Sequence, residues 1–534
     1  MRRLIYIFII GLLLCSYTWA DGSRYASNSL LSEGKWVKIR VDKTGIYKLS
    51  YADLKNMGFS DPSKVSVHGY GGWPLDEDFS KEYIDDVPST PVWRGSDYLL
   101  FYGKGSVKWE YDSSSQTFVH TNNPYSLYGY YFVTDATPTN DMTSVAQASG
   151  ASTRITTYDD YLLHEQELVS VNQSGREFFG EDFSGARPRT ISTFSSIPGI
   201  TDADGKVTMR FISRINSGSG TASLSINDSE LLDITIPSIQ TVSSNVRSYT
   251  KAIPGTTTAL WKGSKSEKNN VVVSYSSSGH TNVRLDYIRM QFVRTLRPYG
   301  ACTFFRSLTS VGNASRFVIS EANSNTLVFD VTDALNVKRV EADLNGSELS
   351  FTIPAGRLRE FVLVQTNQTF PSPEVVGEVA SSNLHGLEQR DMIIISAPSL
   401  VQQAERLAVA HREKDGLTVE VVTPEAIYNE FSSGTPDATA YRRSMKIFYD
   451  RSSSLGNPPK YLLLFGDGIY DNRGISGEVQ GVSRSNMLLT FQSQESLNVY
   501  SYATDDYFAF LEDNSGSNFS RDKMCVGVGR FPIR

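Results

Sequence analysis

The pattern of the chain changes at Asp391. Met392-Ile393-Ile394-Ile395 and Tyr461-Leu462-Leu463-Leu464-Phe465 are uninterrupted apolar runs. A strand with one wet face alternates apolar and polar residues. Continuous runs belong to strands buried on both faces, which needs a parallel sheet between two layers of helix. Helices are written between the runs. Pro398 and Ser399 open one, with Ser399 and Gln402 at capping-box spacing. Leu400, Ala404, Leu407 and His411 form its apolar stripe, ended by Gly416. A strand over 417–422, a short helix over 425–431 and a helix capped by Asp437 follow. The order βαβαβ predicts a parallel sheet with right-handed crossovers. A fourth buried strand is expected over 523–529. Arg530 to Arg534 cannot supply the helix that would cover it, so the sequence is expected to stop inside a domain over 390–534.

The first 390 residues follow another rule. With 28 Tyr, 27 Phe and 40 Gly in 534 residues, the composition favours strands and turns. At about 150 residues per domain, the length suggests three or four domains. Trp36, Lys38 and Arg40 alternate with Val37, Ile39 and Val41, which predicts a half-buried strand, and Gly45 after Lys43-Thr44 predicts a hairpin. A short helix over 51–58 and strands over 65–68, 97–102 and 128–134 complete a β-rich region over 21–150. Eight or more short strands between 155 and 375, broken by Ser217-Gly218-Ser219-Gly220 and Asn345-Gly346, predict a β-sandwich of jelly-roll type. No fixed-period repeat supports a propeller or solenoid.

Arg2 and Arg3, the apolar run from Leu4 to Leu14, and Ala20 have the order of a cleaved secretory signal over 1–20. The run is shorter than the roughly 20 residues a spanning helix needs. Cys15 raises lipidation as an alternative, which the bulk of Leu14 disfavours. The net charge of −7, from 51 basic and 58 acidic residues, argues against a nucleic-acid partner. Three cysteines, Cys15, Cys302 and Cys525, exclude a disulfide-dense scaffold and a four-thiolate zinc site; whether Cys302 and Cys525 pair is open.

In open parallel sheets ligands sit beyond the carboxyl ends of the strands. Gly466-Asp467-Gly468, after the strand over 461–465, is therefore the loop to watch. Asp467 has the chemistry to hold a cation or orient a base, and equally to bond its own backbone in a turn. The acid pair of Thr504-Asp505-Asp506-Tyr507 admits calcium but lacks the spacing of a calcium loop, so no cofactor is assigned. His164-Glu165 has no second histidine at zinc spacing, and His385-Gly386 reads as linker. Neither a serine-hydrolase elbow nor a phosphate loop occurs. Spacing alone assembles no catalytic set.

The run 461–474, then Tyr502-Ala503-Thr504-Asp505-Asp506-Tyr507-Phe508, then Val526-Gly527-Val528-Gly529-Arg530-Phe531-Pro532, resembles the start of a gingipain-type cysteine peptidase domain. Upstream, 34–39, 43–49 and Ser174-Gly175-Arg176-Glu177-Phe178-Phe179-Gly180-Glu181 resemble one branch of that family, the sortases of type IX secretion. The resemblance implies a caspase-like α/β domain and a Cys–His dyad. It also implies removal of C-terminal sorting domains from exported cargo and transfer of cargo to lipopolysaccharide. Sorting-domain proteins and other secretion components at the outer surface of a Gram-negative cell are the implied partners. In the family the dyad follows the Gly-Arg-Phe strand, here Gly529-Arg530-Phe531. The catalytic residues are thus expected beyond Arg534, and the chain as it stands is expected to be inactive. A different class remains: a surface adhesin in which Trp73, Trp93 or Trp109 stacks on sugars.

Overall fold

The structure is a computed structural model. It describes residues 24–533 apart from 82, 186, 240–249, 278, 279, 480 and 482; the expected secretory signal falls outside the described residues. The last 140 or so residues carry the parallel sheet that the apolar runs require. Its strands are β1 (Met392–Ser396), β2 (Val419–Val422), β3 (Tyr461–Phe465) and β4 (Gly527–Phe531), in the order β2-β1-β3-β4, all parallel. Ile393, Ile395, Leu462 and Leu464 point to one face, against α2 (Pro424–Phe431) and α3 (Ala438–Leu455). Met392, Ile394, Leu463 and Phe465 point to the other, against Ala404 and Ala408 of α1 (Val401–Lys414). Both faces of β1 and β3 are dry here because successive side chains of a strand alternate sides and these eight are all apolar.

Local signals hold in part. Asp437 caps α3 by accepting the Thr439 N–H at 2.8 Å, and Gly416 takes a left-handed φ of +66° after α1. The capping box at Ser399 does not form. Residues Pro398–Leu400 make a 3-10 turn, and the Ser399 hydroxyl donates instead to the Ser485 carbonyl at 3.1 Å. The fourth strand starts at Gly527, later than expected, and is not buried: Phe531 is 45% exposed. Two of its five residues are glycines, which leaves β4 little to bury.

Upstream, a five-stranded sheet has Val37–Val41 between Gly129–Thr134 and Glu374–Glu378, and a three-stranded sheet has Tyr98–Gly103 between Gly45–Ser50 and Val92–Arg94. The hairpin expected at Gly45 is therefore a corner. Its two strands enter different sheets, and the Tyr47 hydroxyl pins the bend, donating to the Lys43 carbonyl at 2.8 Å. The strand 37–41 is buried on both faces, because Lys38 donates to Glu425 and Asn429 of α2 at 2.8 and 3.0 Å. Residues 155–375 contain two sandwich cores rather than one. The first joins strands between 205 and 292 from two four-stranded sheets. The second gathers Phe305, Phe317, Phe351 and Phe361. The second sandwich's outer face, through Phe329 and Val362, packs on Ile46 and Leu100 of the three-stranded sheet.

Buried charge fastens this β region to the parallel sheet. His385, expected to be linker, is wholly buried: Nδ1 lies 2.7 Å from Glu430 on α2, Nε2 lies 3.0 Å from Asp85, and the ring stacks on Phe431 at 4.7 Å. Burial works against its charge, but the two carboxylates outweigh that and lift its pKa to about 9. A histidine raised this way stabilises the fold fully below its unfolded pKa, near 6.5, and loses the contribution as pH rises through about 9. Stability should therefore fall by up to ~3 kcal/mol between those limits. His385→Gln should flatten that part of the profile in urea melts run from pH 6 to 10. An unchanged slope in the variant would refute the assignment.

Candidate active-site crevice

The carboxyl ends of β3 and β4 open into a crevice of about 560 Å³, lined by Asp467, Tyr470, Thr490, Gln492, Asp505 and Arg530 among others. Its position is where ligands bind to open parallel sheets. Asp467 is nearly buried and accepts the Gly468 N–H at 2.8 Å, so part of its carboxylate closes its own turn. The flanking glycines are needed for close packing. A Cβ on Gly468 would stand 2.5 Å from Thr490 Cγ2, and one on Gly466 would stand 2.8 Å from the Asn486 carbonyl oxygen. Neither glycine has a positive φ.

Arg530 organises the floor. Its Nε and Nη2 donate to the two oxygens of Asp505 at 2.9 and 2.7 Å, a bidentate pair. The same guanidinium donates to the carbonyls of Asp467 and Leu489 at 3.2 and 3.1 Å. One side chain from β4 thus joins three loops, and the acid considered for calcium is committed to an arginine. Among the described residues no three His, Cys, Asp or Glu side chains converge as a metal site.

The wall opposite comes from the sandwich. In the strap over 173–181, Gly175 has a φ of +80° and Arg176 reaches across, donating from Nε to the Gln492 carbonyl at 2.8 Å and from Nη1 to Glu77 at 2.6 Å. The Glu177 N–H donates to the Ser496 hydroxyl at 2.8 Å, and the Ser496 N–H donates to the Glu177 carboxylate at 3.1 Å. Phe178 stacks on Tyr470, with ring centres 6.4 Å apart. A larger cavity of about 580 Å³ lies on the strap's other side. Its charges are mostly paired with one another: Arg210 with Glu177 and Asp286, Arg473 with Glu167. Burial raises the Asp286 carboxyl to about 7. This cavity is a joint between layers, away from the strand ends.

Neither Cys302 nor Cys525 belongs to the crevice. Both are free thiols. Burial pushes Cys302 up to about 12, and Cys525 precedes β4, at the opposite end of the strand from the crevice. Asp467 and Ser174, in two segments that the sequence singles out, line this crevice, whereas the Arg530–Asp505 pair has no signal of its own in the sequence. Their separation leaves no periodic trace, and the acid pair at 505–506 was the one available signal. The three tryptophans have partners: Trp109 stacks on Tyr161 at 4.0 Å, Trp93 meets Tyr98 at 5.8 Å, and Lys104 covers Trp73 at 4.4 Å.

Residues 385–534 match the profile of Peptidase family C25. The whole chain is similar to dimeric latent PorU from Porphyromonas gingivalis, with 38% identity, a TM-score of 0.87, and coverage of 96% of this chain and 49% of that one. The chain therefore spans about half the length of that relative. A Cellvibrio japonicus carbohydrate-binding module, CBM35 from Abf62, aligns at 17% identity over 26% of this chain and 97% of its own, with a TM-score of 0.13 that carries no argument. No curated protein compared with the chain matches it.

If Arg530 and Asp505 hold the floor as one unit, Arg530→Met and Asp505→Asn should each destabilise the chain by on the order of 2 kcal/mol, and the double variant should cost little more than either. Chemical denaturation of the four proteins measures this cycle. Additive losses would show that the pair is not coupled.

Proposed function

We propose, for a chain whose residues 385–534 belong to peptidase family C25, that it forms the N-terminal half of an exported cysteine endopeptidase acting on type IX secretion cargo. The observation that carries this reading is the extent of the similarity. It spans the β region as well as the C25 portion, and so ties this chain to PorU in particular rather than to the peptidase layer alone.

In this reading the thiolate and imidazole come from sequence after Arg534. The thiolate attacks the carbonyl before the C-terminal sorting domain, and the imidazole passes the proton to the departing amine. Water, or an amine on lipopolysaccharide, then releases the acyl group. Here β3, β4 and the strap contribute the crevice that aligns the scissile segment. Such alignment removes much of the entropic part of the barrier. The packing of Cys302 between the second sandwich and the three-stranded sheet, and the place of Cys525 at the far end of β4, support a nucleophile outside the described residues.

Residues 21–534, and a version extended through the downstream reading frame, can be treated with a thiol-reactive peptidyl probe and with a cargo protein ending in a sorting domain. The extended protein should be labelled and should cut the cargo at the sorting domain, while 21–534 does neither. Cargo cleavage by 21–534 that is lost in Cys525→Ser, or an extended protein that neither reacts nor cuts, would contradict the proposal.

A further inference from the structure

Two of the most exposed large apolar side chains sit together beside the crevice. Tyr500 is 82% exposed and Val499 61%, with Tyr502 at 41%. They form the tip of a hairpin whose base pairs Phe491 with Thr504 and Gln492 with Ala503. Gln492, Ala503 and Thr504 themselves line the crevice, together with Gln173 and Ser174 of the strap.

The tip is held in place. Asn172 Nδ2 donates to the Asn498 carbonyl at 3.0 Å and to the Ser501 hydroxyl at 2.7 Å. The Tyr500 N–H donates to Asn498 Oδ1 at 2.7 Å, and the Tyr502 N–H to the Ser493 hydroxyl at 3.0 Å. Leu497 is buried among Phe179, Ile212 and Ala252 of the sandwich. The loop thus buries one apolar residue as an anchor and holds the next ones outward in a fixed frame. Exposed apolar clusters mark contact surfaces, and an ordered aromatic offers a large contact area at small entropic cost.

We infer that Val499, Tyr500 and Tyr502 form a ledge on which a polypeptide substrate rests before its scissile segment enters the crevice; this rests on the peptidase reading above. A polypeptide is the occupant that the surroundings favour. The ledge leads directly into the crevice, whose side chains near it are neutral hydrogen-bonding groups (Gln173, Ser174, Gln492, Thr504), and whose one arginine is already neutralised by Asp505. That lining suits an extended backbone with apolar side chains. Aromatics stacking on a sugar would not account for Val499 beside them.

The test uses Val499→Ser/Tyr500→Ser in the extended enzyme, with Tyr500→Phe as the conservative partner. For the double variant, kcat/KM on sorting-domain cargo should fall about tenfold relative to kcat/KM on a short fluorogenic peptide, through KM, with an unchanged melting temperature. Tyr500→Phe should retain the wild-type ratio. An unchanged ratio would overturn the ledge. So would a large drop in melting temperature, which would mean that the tip is covered by the protein's own chain, or a loss of lipopolysaccharide binding without loss of cargo binding. Cargo binding to immobilised residues 21–534, measured by interferometry, separates this inference from the peptidase reading. If the enzyme cuts nothing yet the double variant binds cargo about tenfold more weakly, the ledge stands and the peptidase reading falls.

Discussion

Arg176 is the contact on which the geometry of the crevice depends. It leaves the sandwich, salt-bridges Glu77 of the N-terminal region and donates to the Gln492 carbonyl in the C25 portion, while its guanidinium lies 4.4 Å from the Phe491 ring centre. One side chain touches all three regions, and an arginine can do so because its planar fork serves several acceptors at once. Arg442 answers from the other side. Wholly buried on α3, it donates to the Glu77 and Ser515 carbonyls at 2.7 and 2.8 Å and lies over Phe79 at 4.0 Å. The two arginines converge on Glu77, so the wall of the crevice and the helix behind it share a single anchor.

The second constraint is the dryness of the parallel sheet. β1 and β3 are apolar on both faces and are sealed by α1 on one side and by α2 and α3 on the other. The reactive end of such a sheet is then its carboxyl edge, where loops leave the packed layer. Asp467, Thr490, Asp505 and Arg530 are brought there from points far apart in the chain. The β region gives the sheet one wall of that edge and, through Lys38 and Asp85, ties to α2 and its neighbourhood.

What could be read in the sequence divides along the range of the forces involved. β3 matches its apolar run because dryness on both faces is a local property of those side chains. The cap at Asp437 is local too. The corner at Gly45 could not be read, because a hairpin and a corner have the same residues until one knows that Gly45–Ser50 pairs with Tyr98–Gly103. The strand Glu374–Glu378 has no signal in the sequence for the same reason, since its partner Val37–Val41 lies at the other end of the β region. His385 looked like linker because Asp85 and Glu430, which hold it, are distant in sequence. At the crevice, Asp467 was legible from its place after a buried strand. The Arg530–Asp505 pair was not, since a long-range ion pair has no period.

In the function proposed above, substrate sits at the carboxyl edge of β3 and β4, walled by the strap. Hydrogen–deuterium exchange on the extended enzyme, free and covalently bound to a peptidyl inhibitor, tests that claim most directly. Slowed exchange confined to 467–470, 490–492, 503–505 and 173–177 is the predicted result. Protection that leaves those segments unchanged and falls elsewhere on the chain would contradict it.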